Sequence, residues 1–92
     1  MEKELLFITV IGKDRKGIVA KISTLLYEYD INIEDINQKI MDDYFVMIML
    51  VDMKESKQSL ERVRAELEKI GDTLQVKIQI QHEDIFKMMH RV

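Results

Sequence analysis

Two stretches of this chain are apolar at odd and even positions alike. Leu5-Leu6-Phe7-Ile8-Thr9-Val10-Ile11 is one, rich in β-branched residues and ending at Gly12, and Tyr44 to Val51 is the other. Such runs predict strands at the centre of a sheet, with side chains needed on both faces. A third stretch behaves differently. Leu74, Val76, Ile78 and Ile80 alternate with Gln75, Lys77, Gln79 and Gln81, which predicts a half-buried strand with one wet face. From Ile31 to Ile40 the chain also alternates, but Ile33 and Ile36 fall in opposite phases. A bulge at Glu34-Asp35 in an edge strand would reconcile them. Asp42-Asp43 then reads as a tight turn, making this strand and the next a hairpin.

Helical spacing fills the intervals. Ile18, Ile22, Leu25, Leu26 and Tyr29 form one apolar stripe, with Asp14 as the expected cap. Leu60, Val63, Leu67 and Ile70 form a second stripe, with Ser56 or Ser59 as cap and Gly71 near its end. The order strand, helix, strand, strand, helix, strand requires right-handed crossovers. A ferredoxin-like βαββαβ sandwich of the α+β class satisfies it: a four-stranded antiparallel sheet, with the first and third strands central and both helices on one face. The other sheet face then lacks a cover, and exposes more apolar surface than an ordinary monomer carries.

The tail offers one cover. Ile85, Met88, Met89 and Val92 fall at helical spacing, with Glu83 and Asp84 suited to the start of a short C-terminal helix and His90 and Arg91 to its end. This stripe is expected to lie on its own sheet or on that of a second subunit, so residues 1–81 are read as the domain and 82–92 as its helical tail. A homodimer is the expected assembly.

Length changes little: 92 residues make one domain. Chemistry is narrowed more by composition. With no Cys, disulfides and thiol catalysis are excluded, and His82 and His90 are the only imidazoles. They stand eight residues apart without a third ligand or nucleophile at a recognisable spacing, so neither a metal site nor an enzyme is expected. A formal net charge of -3 argues against a phosphate-backbone partner. No 18-residue apolar run and no leader pattern appear, so the expected setting is the cytoplasm, away from membranes.

The candidate chemistry lies in the first strand-helix loop, Ile11-Gly12-Lys13-Asp14-Arg15-Lys16-Gly17-Ile18-Val19. A helix start presents unpaired N–H groups and partial positive charge, Gly17 permits close approach, and Lys13, Arg15 and Lys16 add cations. A carboxylate suits such a place. Asn32 has an amide able to donate and accept, as recognition of an amino-acid head group requires. The plainer reading makes the glycines packing devices, the cations solvated and Asn32 a turn residue.

The loop Gly12 to Val19, the segment Asn32-Ile33-Glu34-Asp35-Ile36 and the six-element order together resemble the ACT domain, a ferredoxin-like regulatory module that commonly binds amino acids. The likeness spans the whole chain. The ending Gln81-His82-Glu83-Asp84-Ile85-Phe86 with Met89-His90-Arg91 is similar to that of the small stand-alone ACT proteins of bacteria and archaea. The resemblance implies an effector site near the first strand-helix loop and the start of the second strand, often at a subunit interface. It thereby implicates Gly12, Asp14, Gly17 and Asn32, with Lys13 and Arg15 beside them. Many ACT loops have Pro immediately before the glycine; Lys16 stands there instead, leaving a freer backbone and an added charge. The implied function is a regulatory module that senses an amino acid or similar small carboxylate, without a cofactor, and acts on a protein partner or on its own assembly. Two rivals remain. One is a purely structural dimerisation or docking module, and the other an RNA binder using Phe7 and Phe45 as stacking platforms.

Overall fold

The computed structural model describes residues 2–89. Its elements are β1 (Leu5–Lys13), α1 (Ile18–Glu28), β2 (Asn32–Met41), β3 (Tyr44–Asp52), α2 (Leu60–Leu74), β4 (Val76–His82) and α3 (Glu83–Met89). The four strands form one antiparallel sheet in the order β2-β3-β1-β4. This is the ferredoxin-like βαββαβ fold with a short additional C-terminal helix.

The two doubly apolar runs are the central pair. Leu6, Ile8 and Val10 of β1 share a face with Phe45, Met47, Met49 and Val51 of β3, and all are buried beneath the helices. Their alternates, including Phe7, Ile11, Ile48 and Leu50, stand on the opposite, open face. From α1 the core takes Ile18, Ile22, Leu25 and Leu26, and from α2 Val63, Leu67 and Leu74. Ile8, Ile22, Leu26, Met47, Met49, Val51 and Val63 have no solvent exposure at all. Each contributes roughly 1.5–3 kcal/mol relative to leaving it in water, which is why the sheet-helix layer dominates the fold.

The register of β2 against β3 slips between Ile33 and Asp35, so Glu34 is the extra residue of a bulge in an edge strand. Its carboxylate receives the Lys3 ammonium and the Asn32 amide. Asp42 takes a left-handed φ of 61° in the turn between β2 and β3. Ser59 is the cap of α2, its Oγ accepting the Arg62 N–H at 3.1 Å, while Ser56 accepts the Gln58 N–H one turn earlier.

Two local expectations are corrected and one, Gly71 near the end of α2, is sharpened. The cap of α1 is Gly17, not Asp14, because the helix begins at Ile18 and Asp14 stands too far back to reach its first turn. Gly71 lies inside α2 and the left-handed C-cap is Gln75, at φ 58°. Helix α2 crosses β4 so closely that a Cβ on Gly71 would stand 2.7 Å from the Val76 carbonyl oxygen. Leu74, expected to open the last strand, is therefore the final residue of the helix, and β4 starts at Val76.

The tail departs from its pattern too. Helix α3 lies over β1 and β4 on the open face, and the residue that anchors it is Phe86, whose ring stacks on Phe7 with centroids 4.1 Å apart. Ile85, Met88 and Met89 remain exposed. The expected roles of His90, Arg91 and Val92 lie outside the described residues.

Candidate ligand site at the first strand-helix loop

β1 delivers the chain to Lys13 and α1 takes it up at Ile18, leaving residues 14–17 as the connection. The two glycines that flank this loop do opposite things. Gly12 pairs with Val76 of β4, and a Cβ there would meet Val76 Cγ1 at 2.8 Å, so its missing side chain is already filled by a neighbour. Gly17 faces open space: a Cβ would meet nothing within 4 Å, yet φ is 90°, a conformation L side chains rarely adopt. No side chain caps this helix start. The first turn-closing bond runs from the Lys21 N–H to the Gly17 carbonyl at 2.9 Å, so the amides of Ile18, Val19 and Ala20 precede any intrahelical partner. The positive end of the α1 dipole lies beside them.

The loop is held from one side. The Asp14 N–H donates to the Asp43 carbonyl at 3.0 Å, and Lys13 Nζ stands 3.3 Å from Asp43 Oδ2. Both contacts tie it to the β2–β3 turn. Arg15 and Lys16 are exposed and make no ion pair among the described residues. The neighbourhood thus holds Lys13, Arg15 and Lys16 together with the carboxylates Asp14, Asp42 and Asp43, and its field is mixed rather than uniformly positive.

Asn32 is not brought to this loop. It pairs with Asp52, whereas Gly12 pairs with Phe45, seven register rows away. At ~3.3 Å per residue the separation is about 23 Å. The cause is chain direction: α1 runs back along the sheet, so β2 enters at the far end from the loop. The expected head-group contact from Asn32 at this loop is therefore not made within one chain. Asn32 belongs to a separate cluster with Lys3 and Glu34. Its hydrogen bond from Lys3, then that from Asn32, hold the Glu34 carboxyl below its ordinary range, and the same Glu34 raises the Lys3 ammonium.

Beside that cluster lies a residue that pattern reading missed. Asp52 closes the apolar run of β3 and is only 5% exposed. Its Oδ1 accepts the Glu4 N–H at 2.9 Å and the Lys54 N–H at 3.0 Å. Burial pushes its carboxyl up, but these two backbone donors, together with the positive charges of Lys54 and Lys3, outweigh it and set it below the ordinary value. An acid at the end of a buried strand was the available signal. The second missed feature is a groove of about 340 Å³ between the helices, lined by Ala20, Lys21, Thr24, Leu25, Glu28 and Ile70. It mixes apolar floor and charged rim, and no motif marks it.

His82 closes β4, its Nδ1 accepting the Asp84 N–H at 3.3 Å at the start of α3. His90 lies outside the described residues. Phe7 and Phe45 stand on opposite faces of the sheet, one stacked on Phe86 and the other buried, so they do not form the paired platform of an RNA-reading sheet. Among the described residues no helix is long and apolar enough to cross a membrane.

The ACT domain family model matches residues 4–81. A UPF0237 protein of Methanocaldococcus jannaschii is 54% identical over 85 residues, which cover 92% of this chain and 94% of that protein. A solved ACT domain protein from Streptococcus pneumoniae superposes with a TM-score of 0.79 at 43% identity, covering 94% of this chain and 97% of the other. The ligand-free regulatory subunit of aspartate kinase from Thermus thermophilus shares the fold at a TM-score of 0.65 and 22% identity, over 87% of this chain and 52% of that one. This chain belongs to the ACT domain family, among the small UPF0237 proteins of archaea and bacteria.

Proposed function

We propose that this protein is a small-molecule-sensing regulatory module whose loop 12–17 takes an amino acid or a similar small carboxylate, and whose response is a change in association with itself or with a regulated protein. ACT domains are in general regulatory modules of this kind. The observation that carries the reading is the open helix start at Gly17: free amides, an unobstructed approach and uncommitted cations at Arg15 and Lys16. The mixed field favours a zwitterion over a phosphate. A carboxylate would meet the amides of Ile18 to Ala20, and an ammonium group would meet Asp14. Gly12 supports the site by closing β1 on β4, and Lys13 by holding the loop to the turn. Asn32 would join only from a second copy.

The loop has a physical route to an assembly surface. Asp43, which holds Asp14 and Lys13, sits in the turn between Met41 and Tyr44, and both of these are exposed at the rim of the open sheet face. A ligand that moves the loop moves that rim, and shifts association only if it binds the two states differently.

The test is a calorimetric and thermal-melting screen against the twenty amino acids at millimolar concentration. One or a few should release heat and raise the melting temperature, and the double variant R15E/K16E should abolish both. Silence from all twenty would refute the reading. A second reading, assembly without a ligand, is favoured by the breadth of the open apolar face; it predicts that silence together with an intact oligomer.

A further inference from the structure

Between α1 and α2 the chain leaves its largest hollow among the described residues, the groove of about 340 Å³. Leu25, which is buried, and Ile70, which is half-buried, make its apolar floor. Ala20 and Thr24 are short and exposed, so the groove stays open to solvent, and Lys21 and Glu28 stand towards its two ends. All of these residues belong to the helix layer, opposite the open face of the sheet. Contacts made over that face leave the groove free.

The charges of α1 are placed against the helix that carries them. Lys21 and Glu28 are its only charged residues, with no acid in the first turn and no base in the last. Each therefore sits towards the end where the backbone dipole disfavours it. Neither is compensated from within: among the described residues neither side chain makes a hydrogen bond or an ion pair, and seven residues apart they cannot reach each other. Helix α2 is built the other way. It has Glu61 in its first turn, Arg62 and Lys69 both meet Glu66, and Arg64 donates to the Ile80 carbonyl at 3.1 Å. The two charges of α1 thus serve neither its own stability nor its neighbours. They share one face, about 10 Å apart along the axis, with an apolar floor between them.

We infer that the groove is a docking surface for an amphipathic helix of another protein, one whose apolar stripe is flanked by an acid and a base two turns apart, to face Lys21 and Glu28. The inference takes up the protein-partner arm of the function proposed above and needs no ligand at the loop. The shape selects a helix. Ala20, Thr24 and Glu28 form one i, i+4 row and Lys21 and Leu25 a second, the rows between which the side chains of a crossing helix seat. The walls are helical, so they offer no unpaired backbone edge to a strand. A second copy fits poorly. Of the large apolar side chains exposed among the described residues, only Tyr27 belongs to α1 or α2, and it does not line the groove. Two copies meeting through their helix layers would set one hollow against another. Seating α3 of a second copy there is head-to-tail, which builds rings or filaments.

The probe is a fluorescently labelled, end-capped helical peptide with Leu and Ala along one stripe and a Glu and a Lys flanking it two turns apart. Anisotropy titration without any amino acid present should show saturable binding to the wild type, and peptides with two Glu or two Lys should bind less well. K21E should bind the mixed peptide about tenfold more weakly and should prefer the two-Lys peptide, the exchange that facing charges require. It should melt no lower than the wild type, since an acid near the start of α1 suits the dipole. T24W fills the groove from an exposed position and should abolish binding. R15E/K16E should leave binding nearly unchanged, so the loss of an amino-acid response and the loss of the peptide are separate failures. No binding of the mixed peptide at millimolar protein overturns the inference. So does equal affinity of K21E for the three peptides, or a light-scattering mass that falls in T24W without peptide, which would give the groove to a second copy.

Discussion

Replacing Gly12 by Ala is the sharpest probe of how the candidate loop is built. If the glycine leaves room for a ligand, a methyl group costs little stability. If it exists so that β1 can close on β4, the methyl has nowhere to go. An ideal Cβ at position 12 would stand 2.8 Å from Val76 Cγ1 and 3.0 Å from both Cα and Cβ of Val76. Carbon atoms in good contact sit ~3.5–4.0 Å apart, so the strands must part by somewhat more than half an ångström or Val76 must leave its place. Overpacking of this kind costs about 1–3 kcal/mol. For a domain of this size, 1 kcal/mol lowers the melting temperature by roughly 4–8 °C, so G12A should melt at least ~5 °C below the wild type at equal protein concentration. The decisive measurement is a double-mutant cycle. V76A alone should destabilise, because Val76 is buried against the core. In G12A/V76A the worst contact is gone and the new methyl fills part of the hole, so the pair should be more stable than the summed single losses by about 1 kcal/mol or more. Additivity within a few tenths of a kcal/mol would refute the packing account of Gly12.

Other expectations follow from single contacts. Ser59→Ala removes the acceptor for the Arg62 N–H and should lower stability by ~1 kcal/mol in urea unfolding, while Ser56→Ala should cost less. Gly17→Asn should fold with nearly wild-type stability and Gly17→Val should not, since the position needs a left-handed φ but has space; equal melting temperatures would contradict this. Asp52 has a folded-state carboxyl below its ordinary value, so its stabilisation is complete above the ordinary carboxylate range and is lost as pH falls through the depressed value. Asp52→Asn should therefore flatten the acid limb of stability against pH, and an unchanged limb would show that the carboxylate is not the group responsible.

Much of the fold was readable from periodicity because burial on two faces leaves a different trace from burial on one. The runs at 5–11 and 44–51 had to be central, since Leu6 and Met47 face the helices while Phe7 and Ile48 face the open side. The phase reversal between Ile33 and Ile36 likewise announced the bulge at Glu34. What periodicity could not reach was proximity between elements. Gly71 does lie near the end of α2, but nothing local says that the Val76 carbonyl oxygen passes 2.7 Å from where its side chain would be. Phe86 was overlooked for a stripe of Ile and Met, although one stacked ring anchors the tail. The candidate site shows the same limit. Arg15, Lys16 and Gly17 are neighbours in the chain and stay together in the fold, whereas Asn32 was joined to them by its amide chemistry and by the resemblance. Following the direction of α1 would have placed it at the other end of the sheet.

The central claim is that a small carboxylate is read at the opening of α1. Titration of the uniformly ¹⁵N-labelled protein with each ligand that raises its melting temperature, followed through backbone amide shifts, tests this most directly. The largest changes should fall on Gly17, Ile18, Val19 and Ala20, with smaller ones at Asp43 and Tyr44 through the turn. Saturable shifts centred instead on Thr24, Glu28 and Ile70, in the groove between the helices, would contradict it.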